Sequence, residues 1–175
     1  MLDLGCGTGA AGAGWAAACE RAPSVVGIDR NAWAVEQAGA TYRHFGLRAH
    51  VRREEVGRLR LPAEPTAIVS AFTLNEMPDE DRDALLERLL THAGRPGNQV
   101  LVVEPLAGFV ARWWPRWRDR FAETGGRADE WRIAGRLPPI VAKLDRAAGL
   151  DHREITGRSL FAASATRRAA RAASS

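Results

Sequence analysis

Several residue types are scarce in this chain, and each scarcity closes off a class of function. Among 175 residues there are only two cysteines, Cys6 and Cys19, too few for a disulfide framework or a four-thiolate metal site. The four histidines, His44, His50, His92 and His152, are scattered without ligand spacing, so no metal site is expected. No apolar run approaches the ~20 residues needed to span a bilayer. The start, MLDLGCGTG, has neither the basic segment nor the long apolar stretch of a signal peptide. A cytoplasmic protein with no membrane partner is the expectation.

What is present fits one soluble domain. Hydrophobic residues make up 46% and charged residues 26%, and a chain of this length buries a real core without covalent staples. The net charge of +4 suggests an anionic partner, but its distribution does not. Arg167, Arg168 and Arg171 lie in the last twelve residues with no acid among them; without them, 22 basic residues face 21 acidic ones. The body is nearly neutral. The division expected is a domain over residues 1–163 and a disordered Arg/Ala-rich tail over 164–175.

The hydrophobic pattern alternates short β-branched runs with helical stretches. Strands are expected at 1–4, 24–28, 48–52, 66–72 and 99–103, with a short one at 131–134 and strand-like patches over 152–163. Helices are expected at 10–21, from an Asn31 cap to about Phe45, from Pro78 to about Ala93, over 109–123 with a kink or break at Pro115, and at 139–148. In the second helix, Trp33, Val35, Ala38 and Tyr42 fall near helical spacing. Strands alternating with helices imply a parallel sheet covered on both faces, with ligands at the carboxyl ends of the strands. Those ends are the loop after Leu4, Asp29, the segment after Phe72, and Glu104.

The most informative stretch is Asp3-Leu4-Gly5-Cys6-Gly7-Thr8-Gly9. Its glycines let the chain turn sharply from strand to helix and let a ligand approach the backbone. Asp29, 20 residues beyond Gly9, ends the next strand, where a carboxylate can accept hydrogen bonds from a ribose diol. Gly5 to Ala10 also satisfies the dinucleotide pattern GxGxxA, so the glycines alone leave two ligand classes open. Asp3 separates them: an acid there suits a cationic amino group and does little for a pyrophosphate.

The string Asp3 to Gly9, with Asp29 behind it, resembles the first two motifs of the class I S-adenosylmethionine-dependent methyltransferases. The resemblance covers residues 1–163. It implies an α/β fold: a doubly wound, mostly parallel seven-stranded sheet of Rossmann-like type, with the last strand reversed and helices on both faces. It implies S-adenosyl-L-methionine as cofactor. The cofactor-binding set would be Asp3, Gly5, Cys6, Gly7, Thr8, Gly9, Asp29, Arg30, Glu54 or Glu55, and Phe72. Asp3 would lie near the methionine end, Asp29 on the ribose, and Glu54 or Glu55 near adenine. The first strand looks shortened, four residues where such a central strand needs about five, so a longer parent protein with an upstream segment is the expectation.

Methyl transfer from a sulfonium needs in-line alignment more than a general base. Asn75, Glu76 and Glu104 are the candidates for catalytic work, as groups that orient substrate; Asn75 and Glu76 can equally cap the helix after Pro78. The Asn/Asp-Pro-Pro-aromatic motif of many amine methylases is absent after Phe72. The strings LNEM and VVEPLAG resemble a methyltransferase-like family of the small ribosomal subunit, but no cysteine follows Cys19 to build that family's iron–sulfur site. The acceptor is left as a small molecule or ribosomal RNA, and the oligomeric state is open. Two other readings stand beside this one. A catalytically degenerate cofactor-binding or assembly protein is one. An NAD(P)-dependent oxidoreductase is the other, disfavoured because Tyr42 and Lys143, the only tyrosine and lysine, cannot form a Tyr-x-x-x-Lys pair.

A tryptophan- and arginine-rich stretch follows. Val110, Trp113, Trp114, Trp117 and Phe121 share helical i, i+3, i+4, i+7 spacing, and such a stripe packs against a sheet. With Trp131 and the interleaved arginines, a lid over an apolar or aromatic substrate and contact with nucleic-acid bases are the alternatives.

Overall fold

The computed structural model describes residues 1–106, 111–150 and 152–164. The chain forms β1 (Leu2–Leu4), α1 (Ala10–Ala17), β2 (Val25–Asp29), α2 (Ala32–His44), β3 (Ala49–Arg53), β4 (Ala67–Ala71), α3 (Asp79–Ala93), β5 (Gln99–Glu104), α4 (Trp114–Glu123), β6 (Arg127–Ala134), α5 (Pro139–Ala147) and β7 (Glu154–Ala163). The strands make one seven-stranded sheet in the order β3-β2-β1-β4-β5-β7-β6. Strands β1 to β5 pair in parallel, and β7 runs antiparallel between β5 and β6. The doubly wound sheet with a reversed last strand is the expected architecture.

β1 is short yet fully used: each of its three residues pairs with β2 on one side and β4 on the other. Short as it is for a central strand, β1 is bracketed in register by both neighbours.

Because side chains alternate across a strand, the register divides the molecule into two layers. Leu2 and Leu4 of β1, Ile68 of β4, Val100 and Val102 of β5 and Leu160 of β7 share one face with α3 and α4. Leu85, Leu86, Leu89, Trp117 and Phe121 complete that core, all fully buried. The other face carries Asp3, Gly27, Val69, Leu101 and Val103 at matching register positions. There, α1 and α2 cover one end through a smaller cluster of Cys6, Ala13, Ala16, Val25, Ala38 and Tyr42. Over β5 this face is only half-buried: Leu101 and Val103 are partly exposed, while Val100 and Val102 are sealed. Parallel sheets are normally closed on both sides, so this stretch, half-buried by the described residues, is where a ligand can lie.

Helix boundaries follow local chemistry. The Asn31 side chain accepts the Trp33 and Ala34 N–H groups and caps α2. The inner face of α2 is Ala34, Ala38 and Tyr42, and Trp33 is 62% exposed. Of the four residues expected on that face, Ala38 and Tyr42 are fully buried, Val35 is half-buried and Trp33 points to solvent. α1 ends at Ala17 rather than Arg21, since the chain must turn back to reach Val25. Pro115 does not kink α4; it sits in its first turn, where its missing N–H costs nothing. The expected helical residues 109–110, Val110 among them, lie outside the described residues. β6 is longer than expected, because β7 supplies partners back to Arg127. Ser164, assigned to the tail, still pairs with Asn98 and Gly97; residues 165–175 lie outside the described residues. Among the described residues no helix is long and apolar enough to cross a membrane.

The packing division predicts contrasting tryptophans. Trp117→Ala removes a fully buried indole and should cost about 3–5 kcal/mol, whereas Trp33→Ala at the surface should cost under about 0.5 kcal/mol. Urea denaturation of the two variants checks both.

Candidate functional site

The glycine loop leaves β1 with three left-handed residues, Gly5 (φ 64°), Gly7 (φ 51°) and Gly9 (φ 86°), and enters α1 directly. Gly5 also faces Thr73: a Cβ there would lie 2.2 Å from the threonine side chain. The Thr73 hydroxyl has the carbonyl oxygens of Gly5, Ala71 and Leu4 within 3.1–3.3 Å as alternative acceptors for its one proton. The loop is thus pinned to the end of β4 as well as to its own strand.

A cleft of about 690 Å³ opens at the carboxyl ends of β1, β2, β4 and β5. That size lies within the range of ligand pockets. One part of its wall is Gly5, Cys6, Gly7 and Thr8 of the loop, with Asp29 and Arg30 after β2 and Glu55 after β3. Another is Ala71, Phe72 and Thr73 after β4, Leu101 and Val103 of β5, and Trp131 of β6. Ala11 and Trp15 of α1, Glu76 and Met77 also line it.

Asp29 is held in place by two backbone donors. Its Oδ2 accepts the Gly7 N–H at 2.9 Å and its Oδ1 accepts the Asn31 N–H at 2.8 Å. Each oxygen keeps acceptor capacity toward the cleft, and the carboxylate cannot rotate without losing both bonds. Arg30 and Glu76 approach to 3.7 Å across the cleft wall, with side chains 67% and 72% exposed. So exposed a pair is worth less than about 1 kcal/mol, and either partner is free to turn to a ligand.

Phe72 is 56% exposed and has φ 56°, the one non-glycine residue in left-handed conformation among those described. That conformation costs a residue with a Cβ about 1–2 kcal/mol. It is held by the Phe72 N–H bonded to the Val103 carbonyl at 2.9 Å, and it places the ring at the cleft.

Five expected site residues do not reach the cleft wall. Asp3 lies beneath the loop, 1% exposed, where its Oδ2 accepts the Gly12 N–H at 2.9 Å and the Tyr42 hydroxyl at 2.8 Å. Burial pushes its carboxyl up from the usual range, and the two donors oppose that shift. Its Oδ1 is buried without a partner. Gly9 packs on α2, where a Cβ would sit 3.0 Å from the Ala38 Cα. Glu54 turns to Arg52 at 3.3 Å, leaving Glu55 on the wall.

Asn75 and Glu104 are structural. Glu104 points into the sealed face, fully buried, and accepts the Leu74 N–H at 3.1 Å and the Asn75 side-chain N–H at 2.7 Å. The Asn75 carbonyl oxygen in turn accepts the Trp113 indole N–H at 3.0 Å. This chain fixes the 3-10 turn Leu74–Glu76 that presents Thr73, Glu76 and Met77 to the cleft. Of the catalytic candidates, only Glu76 lies on the wall. Cys6 lines it too, but burial and the nearby Asp3 and Asp29 carboxylates push its thiol up to about 12, which disfavours the thiolate.

The tryptophan stripe is core. Trp113, Trp114, Trp117 and Phe121 are buried, and the neighbouring Arg116 and Arg120 pair with Asp83 and Glu87 of α3. Those rings and cations are spent internally, which removes the base-stacking reading of this helix. Trp131 stands apart on β6. Sequence reasoning did not single out Trp15, Ala11, Met77, Leu101 or Val103 for the site. Nor did it single out Thr73, whose position four residues past a buried strand residue, Val69, was the available signal.

The family described as "Methyltransferase domain" matches residues 1–97, the half that holds the glycine loop, Asp29 and β4. The chain belongs to that methyltransferase family. Its members generally use S-adenosylmethionine. Among solved structures, this methyltransferase resembles precorrin 8w decarboxylase from Methanobacterium thermoautotrophicum, with 17% identity over 92% of this chain and 79% of the other at a TM-score of 0.59. It also resembles a candidate RNA methyltransferase from Pyrococcus horikoshii, with 15% identity over 94% and 73% at 0.58. A third is the mitomycin 7-O-methyltransferase MmcR, with 15% identity over 93% of this chain and 48% of that one at 0.58. Identities this low speak to the fold alone, and the reactions named differ. No curated protein sequence matches the chain.

The buried Glu104 of this methyltransferase has a pH signature. Burial raises its carboxyl from an ordinary 4.5 to about 7, against the opposing pull of Leu74 N–H and Arg158. A raised pKa means that the folded state binds the proton more tightly than the unfolded chain. Its stabilising contribution is therefore complete below about pH 4.5 and is lost as pH rises through about 7. Glu104→Gln removes that loss. The stability difference between variant and parent should shift in the variant's favour by up to about 3 kcal/mol between pH 4.5 and 7.5, then level off; urea unfolding across that range measures it.

Proposed function

We propose that the cleft binds S-adenosylmethionine and that the domain transfers its methyl group to a small-molecule acceptor. The observation that carries the reading is Asp29: a carboxylate fixed by Gly7 N–H and Asn31 N–H, on the same wall as the Gly5–Thr8 loop. Its remaining acceptor sites suit a ribose diol.

The residues present fit the cofactor. Open space surrounds Gly7, where an added Cβ would meet nothing within 4 Å, so a ligand can reach the backbone. Asp3 lies beneath the loop and off the cleft wall, so the fit rests on the loop, Asp29 and Glu55. Glu55 is the adenine-side candidate, Arg30 and Phe72 flank the wall, and Thr8 and Cys6 belong to the loop. Strand order also favours this cofactor over a dinucleotide: β7 is reversed and inserted between β5 and β6, unlike the all-parallel 3-2-1-4-5-6 order.

When bound, the cofactor would supply a sulfonium-activated methyl group to an acceptor's lone pair. The protein's share is positional. Asp29 and the loop would fix one partner, and the turn Leu74–Glu76 and Phe72 border the other.

Charge favours a small acceptor over RNA. Among the described residues, the cleft wall carries Asp29, Glu55, Glu76 and Asp81 against Arg30. Nucleic-acid sites gain their affinity from cations on phosphates, and this wall would repel them.

Calorimetric titration with S-adenosylhomocysteine tests the reading. Micromolar binding is expected, with NADH giving none. Asp29→Ala should weaken it at least about tenfold, the loss of roughly two hydrogen bonds to a charged acceptor. A folded chain without S-adenosylhomocysteine affinity would reject the proposal.

A further inference from the structure

We propose that Trp131, laid flat across Gly157, is the aromatic wall of the methyl-acceptor subsite, and that the acceptor is a planar aromatic small molecule without phosphate. This rests on the reading of the cleft as an S-adenosylmethionine site.

The sheet register places Trp131. It pairs with Gly157 of β7, and in the same alternation Asp129 pairs with Ser159, which pairs with Val103 of β5. Trp131 therefore projects from the cleft-bearing face, the face of Leu101 and Val103. Its position over Gly157 is tight. A Cβ built on Gly157 would lie 2.5 Å from the indole Cη2, 2.7 Å from Cζ2 and 2.9 Å from Cζ3. Gly157 has no left-handed φ to account for it; what it provides is room, and the room is filled by the indole's six-membered ring. The ring reaches the cleft, where Trp131 is the sole contribution of β6 to the wall.

Three features of that half of the cleft fit a flat apolar ligand. Its floor is aliphatic, made by Ala71, Leu101 and Val103. Its other aromatic, Phe72, is held at the wall in a strained backbone conformation, and strain of that kind persists where the surrounding structure imposes it. Among the described residues no cation lines that half: the one guanidinium on the wall, Arg30, follows β2 on the loop's side. Indole and phenyl rings bordering an aliphatic floor favour stacking with an aromatic ring, an attraction beyond area alone.

The test uses the whole chain saturated with S-adenosylhomocysteine and titrated with 2-naphthol in a calorimeter, with its saturated analogue decahydro-2-naphthol for comparison. The expected result is binding of 2-naphthol, weaker binding of the saturated analogue, and a loss of about tenfold or more in Trp131→Ala. Trp131→Phe should stay within about threefold of the parent, because a ring remains. Gly157→Ala, which displaces the indole, should lose affinity as Trp131→Ala does and guards against misfolding of either variant. S-adenosylhomocysteine affinity should be unchanged in all three. Equal 2-naphthol binding by parent and Trp131→Ala, no binding by the parent, or preference for a short single-stranded RNA would overturn the inference. The two proposals fail separately. Loss of S-adenosylhomocysteine binding in the parent removes the cofactor reading and this one with it; intact binding of that nucleoside without 2-naphthol removes this one alone.

Discussion

A carboxylate buried beneath a glycine loop is costly unless its charge is met, and the fold around Asp3 is arranged to meet it. One oxygen collects the Gly12 N–H from the start of α1 and the Tyr42 hydroxyl from α2. Those two bonds draw both helices onto β1 and fix where the loop between Leu4 and Ala10 must run. They also dictate glycine nearby. A Cβ on Gly12 would lie 2.4 Å from the Asp3 oxygen, and one on Gly27 would lie 3.0 Å from the Tyr42 ring. Tyr42, itself fully buried, is raised in pKa by its burial and by Asp3, which keeps its proton available to donate to Asp3. Everything at the cleft mouth is referred to this point: Cys6 bonds back to Ile28, Gly7 reaches Asp29, and Asp29 reaches the cap of α2.

The two faces of the sheet are used differently. One is closed by leucines and the tryptophan stripe of α4 and carries a buried polar thread, Glu104 to Asn75 to Trp113. The other is closed over β1 to β3 and left half-open over β5. The thread on the sealed side holds the turn that borders the open side, so a residue one strand position from the cleft shapes it without touching it. Glu104 and Val103 are neighbours in sequence, and the pleat sends one into the core and the other to the ligand.

The glycine loop, Asp29 and the α/β order were legible because each is a local signal. Glycines at 5, 7 and 9 announce positive φ, an acid closes a β-branched run, and periodicity switches between strand and helix. The sense of the last strand was legible only through family resemblance. The tryptophan stripe at 113, 114, 117 and 121 was legible as core because its spacing persists over a full helical face.

What the sequence could not decide was which of two adjacent residues faces the ligand. Glu54 or Glu55, Asn75 or Glu76, and Val103 or Glu104 differ by a single step, and one step reverses the face of a strand or turns a helix by about 100°. The same step separates exposed Trp33 from buried Ala34. Trp131 is the clearest case: nothing near it in the chain marks it as a cleft residue. Its place follows from pairing with Gly157, 26 positions later, and from a helical layer that stops short of β5. The sequence by itself determined the elements, the loop and the acid that faces it, since those depend on backbone freedom and local periodicity. Tertiary structure alone decided which side chains share the cleft, because that depends on strand register and on which face of the sheet is left uncovered.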